Sequence, residues 1–230
     1  MYVLALTIST DEGSLALSKN KFVIGQKAWS RTAQHTDVLV LNIKKILERS
    51  KITQQNLSLI AVDRGPGSFT GCRMAVNVAR ALAYSLSIPI YSTHSLDIIA
   101  ESARESLPRK KKVTFLALLN AHKSLTYGRQ YEFDGPSNSC RALTDVNAWS
   151  LNEILRLTTQ GTKVFGDIDK NIKRMLIENG VIFSARKKLN FPQASVLATM
   201  ADKSEFRSWS EIEPSYIRSP DVVEKFKTMV

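Results

Sequence analysis

Residues 62–86, VDRGPGSFTGCRMAVNVARALAYSL, decide how this chain is read. They pass from the end of an apolar strand, through a loop holding Gly65, Pro66, Gly67 and Gly71, into a run with helical spacing. Strand, glycine-rich loop and helix is an arrangement that cradles phosphate. The regular nucleotide motifs are nevertheless absent. A P-loop needs glycine five residues after Gly65, where this chain has Thr70, and GxGxxG fails because Gly71 comes one residue late. Pro66 stiffens the strand exit, Gly67 and Gly71 permit close backbone approach, and Ser68 or Thr70 can cap the helix. On the loop's chemistry alone, either an anion or a neighbouring stretch of backbone fits against it.

The helix expected over about residues 70–86 says more. Ala75, Ala79 and Ala83 recur at i, i+4 and i+8, a row of small side chains that lets another element approach closely. Arg73, Asn77, Arg80 and Tyr84 form one narrow polar stripe, so the helix is expected to be covered on more than one side. The covering element is either part of this chain or a partner. The segment 36–50 presents a similarly broad apolar face through Leu39, Ile43, Ile46 and Leu47.

Outward from there, residues 2–8, 13–19 and 22–29 read as three strands joined by short polar turns, one of them at Asn20-Lys21. With the helix at 36–50, a strand at 56–63, the loop and its helix, a strand at 88–92 and a helix at 95–106, the order is βββαβαβα. It ends at Leu107-Pro108 and a basic run. A second block follows with strands at 113–120 and 125–133, a polar loop at 134–142, and then alternating helices and strands to a last helix at 194–202. Both blocks open with strands and then alternate, which predicts two related α/β lobes, residues 1–108 and 109–230.

The 230 residues carry a formal net charge of +11, divided as +4 over 1–108 and +7 over 109–230. That excess favours polyanions, with Arg109–Lys112 and Arg186–Lys188 as the visible clusters. No signal peptide and no membrane span is read, and Cys72 and Cys140 make neither a disulfide framework nor a zinc motif. A reduced, cytoplasmic protein is expected.

The stretch 62–100, VDRGPGSFTGCRMAVNVARALAYSLSIPIYSTHSLDIIA, closely resembles the signature of the bacterial TsaB (YeaZ) family. LALTISTDEGSLAL (4–17) is similar to that family's first hairpin, and LLNAHKSLTYGRQYEF (118–133) to its second-lobe strand pair. KVFGD (163–167) and EIEPSYIR (211–218) match two further pieces in the right order. The resemblance implies the ASKHA (actin/Hsp70/sugar-kinase, RNase H-like) fold, with two βββαβα-type lobes, the second degenerate. It also implies a scaffold and activator of a TsaD transferase, which moves threonylcarbamoyl to adenosine 37 of tRNA, and a TsaE ATPase as a further partner. Family members pair through their first two helices, so the expected interface residues are Leu39, Ile43, Ile46, Arg73, Ala75, Asn77, Ala79, Arg80 and Ala83. Gly65, Pro66, Gly67, Ser68, Thr70 and Gly71 are then a structural loop that aims the second helix.

The departures from the family pattern carry chemistry. Active ASKHA enzymes place an Asp at the end of the first strand; this chain has Thr7 there, and Asn120 at the matching place in the second lobe. Neither is an anionic metal ligand. His94 is followed at i+4 by Ile98, where the catalytic relative has a second metal-binding histidine. His35 and His122 are joined to it by no pattern. The expectation is a chain without catalytic residues, metal or cofactor, able to self-associate in isolation and to offer basic surface to tRNA. The competing class is a metal-dependent ASKHA nucleotide hydrolase or a glycoprotease-like peptidase.

Overall fold

The computed structural model describes residues 1–30, 35–201 and 206–217. It contains two sheets. The first joins β1 (Tyr2–Thr7), β2 (Glu12–Lys19), β3 (Phe22–Ser30), β4 (Leu59–Asp63) and β5 (Ile90–Thr93) in the order β3-β2-β1-β4-β5. β1, β2 and β3 are antiparallel, while β4 and β5 run parallel to β1. Asn20 and Lys21 both take positive φ, as a two-residue hairpin turn of the tight type demands. Parallel pairing needs crossovers, and these are α1 (His35–Arg49) before β4 and α2 (Phe69–Leu86) before β5.

The second sheet contains β6 (Lys112–Asn120), β7 (Thr126–Asp134), β8 (Ser139–Ala142), β10 (Lys163–Asp167) and β11 (Ile182–Phe183), ordered β11-β10-β6-β7-β8. Its path repeats that of the first, with α4 (Leu151–Leu157) and α5 (Lys170–Glu178) as crossovers. β9 (Asn147–Trp149) pairs with β7 beside this path. β8 and β9 are the strands missing from the sequence reading, which had a polar loop at 134–142 and nothing before the helix near 150.

Strand alternation divides the first lobe's core in two. Leu4, Leu6, Leu15, Leu17, Ile60 and Val62 face α1 and α2, together with Leu39, Ile43, Ala75 and Ala79. Val3, Ala5, Ala16, Leu59 and Ala61 face the other way, against Ile98 and against Ala194, Leu197, Ala198 and Ala201 of α6 (Ala194–Ala201). The alanines on both sides let α6 lie close to the sheet. α3 (Ser95–Ala103) serves both sheets: Ile98 packs on the first, and Leu96, Ile99, Ala100 and Ala103 pack on Phe115, Ala117 and Phe133 of the second.

The chain therefore does not divide spatially at residue 108. α3 is shared, and residues 194–201 and 206–217 return to the first sheet. Beyond α6, Arg207 bridges to Ile90, Ile212 enters the first lobe's core, and the Ser215 amide donates to the Arg64 carbonyl. Asp202 and Arg218, the ends of two segments read in the sequence, lie outside the described residues.

Candidate functional site

The loop 65–71 is built against the backbone that follows β1. A Cβ at Gly67 would sit 2.0 Å from the Ser9 carbonyl oxygen, and one at Gly71 2.0 Å from that of Ile8. Gly65 takes φ +98°. The Ser68 amide donates to the Ser9 carbonyl at 2.7 Å, and the Ser68 hydroxyl accepts from the Gly71 amide as the N-cap of α2. The Ser68 and Gly71 amides, and the space beside the Gly67 and Gly71 α-carbons, which a phosphate cradle would use, are taken up by the chain itself. The structural-turn reading of Gly65, Pro66, Gly67, Ser68 and Gly71 fits this geometry. Thr70 is exposed on the first turn and Ser68, not Thr70, caps the helix.

Asp63, at the end of β4, is the polar residue the sequence reading passed over. It is fully buried. Its Oδ2 accepts from Ser9 Oγ at 2.5 Å, and its Oδ1 from Ser95 Oγ at 2.7 Å and the Gly65 amide at 2.9 Å. Burial pushes its pKa up, against the pull of these donors. Asp63 thus joins the β1–β2 turn, the glycine loop and the start of α3. Its position directly before a glycine turn, at the end of an apolar strand, was the only sequence signal of this role.

Beside it lies a second polar group, in which the sequence reading considers His94 but not its partner Arg64. Arg64 Nη2 and His94 Nε2 are 2.9 Å apart, and His94 Nδ1 is 3.3 Å from the Gly65 carbonyl oxygen. One tautomer satisfies both: Nδ1–H donates to Gly65 and Nε2 accepts from the guanidinium. Burial, then the Arg64 charge, hold the His94 pKa below its usual value. Asp97, one turn along α3, receives Arg129 Nη1 at 2.8 Å and the Tyr131 hydroxyl at 2.6 Å, both from β7. These contacts tie α3 to the second sheet. His94 is therefore a half-buried, hydrogen-bonded group at the start of α3.

A cleft of about 320 Å³ opens between the lobes, lined among others by Ser9, Thr10, Ser68, Asn120, Asp167 and Tyr216. In an ASKHA enzyme such a cleft holds a magnesium nucleotide, and the side chains here do not fit one. Thr7 is buried and its hydroxyl donates to the Pro192 carbonyl, while Asn120 Oδ1 accepts from the His122 amide. Asp63, one residue beyond the Leu6–Val62 pair of β1 and β4, has both oxygens bonded within the fold. Among the described residues no three His, Cys, Asp or Glu side chains gather as a metal site would require.

The expected interface residues separate into two sets. Leu39, Ile43, Ile46, Ala75, Ala79 and Ala83 are buried in the first lobe's own core, so they are not outward docking anchors. The small-residue row meets the sheet. Arg73 and Asn77 are exposed and Arg80 is partly so, on the opposite face. Val40 and Leu41 of α1 are about half exposed, and Tyr84 of α2 more so. Residues 206–217 border this face: Trp209 meets Tyr84 edge-on, Arg80 lies over Trp209, and Tyr216 packs on Phe69.

Duplicated βββαβα lobes around a shared cleft define an ASKHA-type protein. Residues 24–227 match the family model described as TsaD, tRNA N6-adenosine threonylcarbamoyltransferase. The tRNA threonylcarbamoyladenosine biosynthesis protein TsaB of Buchnera aphidicola from Schizaphis graminum is 33% identical over 84% of this chain and 89% of its own length. Its Bacillus subtilis namesake is 25% identical over 98% of both chains. The chain belongs to the TsaB (YeaZ) family. The YeaZ structure from Pseudomonas aeruginosa shares the fold, with a TM-score of 0.77 at 22% identity over 94% of this chain and 99% of that one. Among the described residues no helix is long and apolar enough to cross a membrane.

Proposed function

We propose that this chain is a non-catalytic scaffold in tRNA threonylcarbamoyladenosine synthesis, which docks onto a TsaD-type transferase and supports its active form. The observation that carries the reading is the pair of first-strand ends, Thr7 and Asn120, which place no carboxylate at the two positions where an ASKHA enzyme organises metal and phosphate. The family membership supplies the pathway, and the match to the TsaD family model supplies a partner of like fold. Docking uses the outward side of α1 and α2, through Val40, Leu41, Arg73, Asn77 and Tyr84, and not the alanine row. A TsaE-type ATPase and a second copy of the chain are the other partners this reading expects, in the cytoplasm.

The test is reconstitution with the chain's own TsaD, TsaE, threonylcarbamoyl-adenylate synthase and tRNA. Modification is expected to require the chain, and the variant Leu41→Glu/Asn77→Arg is expected to fold normally yet fail to co-elute with TsaD. Calorimetry of the isolated chain with Mg–ATP is expected to be silent. Modification that proceeds without the chain, or magnesium-dependent ATP binding by it alone, would overturn the scaffold reading.

A further inference from the structure

We propose that the groove between the edge strand β3 and helix α1 binds an RNA strand, with phosphates along its cationic walls and a base stacked on Phe22. This extends the scaffold reading to a second surface and assigns where the chain meets tRNA. The groove, about 330 Å³, is lined by Ile24, Gln26, Lys27, Asn42, Lys45 and Arg49.

Charge is the first argument. Over residues 19–30 and 38–51 there are seven cations, Lys19, Lys21, Lys27, Lys44, Lys45, Arg49 and Lys51, against one acid, Glu48. Glu48 pairs with Lys44. Lys21, Lys27, Lys45, Arg49 and Lys51 are exposed and form no ion pair among the described residues. The runs that stand out in the sequence are different. Lys187 is bound to Glu12, Lys188 to Glu105, and Lys112 lies beside Glu132. Part of their charge is already matched within the chain, whereas the groove's is not. Lys27, Lys45 and Arg49 line the groove itself, and unmatched cations on one concavity are what displaces counterions from a phosphate backbone.

Shape is the second argument. Lys27 stands on the extended backbone of β3 and lines one wall, while Lys21 stands in the turn that opens that strand. Lys45 and Arg49 stand one helical turn apart on the facing wall. Gly25 keeps that wall close, because a Cβ there would lie 3.1 Å from Ile46. An acidic peptide would meet the same cations, but it would leave Phe22 unexplained. That ring is 76% exposed at the hairpin end, flanked by Lys21 and across the pair from Lys19. An exposed ring beside a cationic track is a stacking platform for an unpaired base.

The test titrates a fluorescent tRNA transcript with the full chain by anisotropy, from about 50 to about 200 mM salt. Lys27→Glu/Lys45→Glu/Arg49→Glu is expected to weaken binding by about tenfold or more and to flatten the salt dependence by about two to three phosphates. The neutral triple to Gln gives a smaller loss in the same direction, which guards against an effect of charge reversal on folding. Phe22→Ala is expected to weaken binding by about fivefold or more, while Lys110→Glu/Lys111→Glu leaves it within about twofold. The proposal is overturned if the wild-type chain does not bind the transcript, if the 110/111 variant loses binding and the groove triple keeps it, or if Phe22→Ala changes nothing. Polyglutamate that binds the groove as tightly as tRNA would also overturn it, in favour of an acidic protein partner. TsaD co-elution is scored on the same variants: its retention when tRNA affinity falls separates this surface from docking. Failure of the wild type to co-elute would count against the scaffold reading and leave the groove to be judged by the titration.

Discussion

Ser9 Oγ donates to Asp63 Oδ2 at 2.5 Å, so the turn after the first strand is fastened to the end of the fourth. The carboxylate has two further donors, Ser95 Oγ and the Gly65 amide, and none of the four residues has appreciable exposure. Asp63→Ala leaves two hydroxyls and an amide without their acceptor, and is expected to destabilise the chain by about 3 kcal/mol. Asp63→Asn keeps one oxygen and lets the Ser9 hydroxyl accept instead of donate, so its cost should be about 1 kcal/mol. Urea unfolding of the three proteins checks the order. Equal loss in both variants would mean that the charge, and not the set of acceptors, holds the loop.

The two faces of α2 make opposite predictions. Ala79 has no exposed surface and sits against the sheet with Val62 and Leu4 in the same core. Ala79→Arg forces a long charged side chain into that space, an overpacking and an unpaired buried charge together, and is expected to cost more than about 4 kcal/mol. Asn77→Arg, two residues away on the exposed face, should change stability by no more than about 0.5 kcal/mol. Thermal melts and solubility distinguish them directly. A folded Ala79→Arg protein would show that the row faces outward after all.

Much of this architecture is legible in the sequence, for reasons specific to each segment. The spans of α1 and α2 follow from apolar spacing, and the hairpin turn from Asn20-Lys21, because these signals are local. The direction of the alanine row is not local. Small side chains suit a helix meeting a sheet as well as a helix meeting a helix, and only the packing of β1 and β4 beneath Ala75 and Ala79 decides between them. The charged groove is hidden for the same reason: its lysines are scattered along β3 and α1, whereas the contiguous runs at 109–112 and 186–188 draw the eye. Asp63 meets Ser9 and Ser95 across 54 and 32 residues, and Asp97 meets Arg129 across 32. No periodicity encodes such pairs.

The His94 geometry gives the chain a definite response to acid. Its Nε2 accepts from Arg64, so protonation would set an imidazolium against a guanidinium, with Arg129 also near and Asp97 opposing them. The folded pKa lies below the usual 6.5, with burial the larger cause and Arg64 the next. The sign follows from which state takes up the proton first. Above the unfolded pKa both states are neutral and the contribution is complete; as pH falls below about 6.5 the unfolded chain binds a proton that the folded chain resists, and stability declines toward the depressed folded pKa. The limiting slope for one group is about 1.4 kcal/mol per pH unit. His94→Gln retains a side-chain acceptor for Arg64 and has nothing to titrate, so its loss between about pH 7 and about pH 5.5 should be smaller than that of the wild type. Urea midpoints at the two pH values measure the difference. Parallel curves for the two proteins would show that His94 is free to protonate in place, and that its bond to Arg64 does not form in solution.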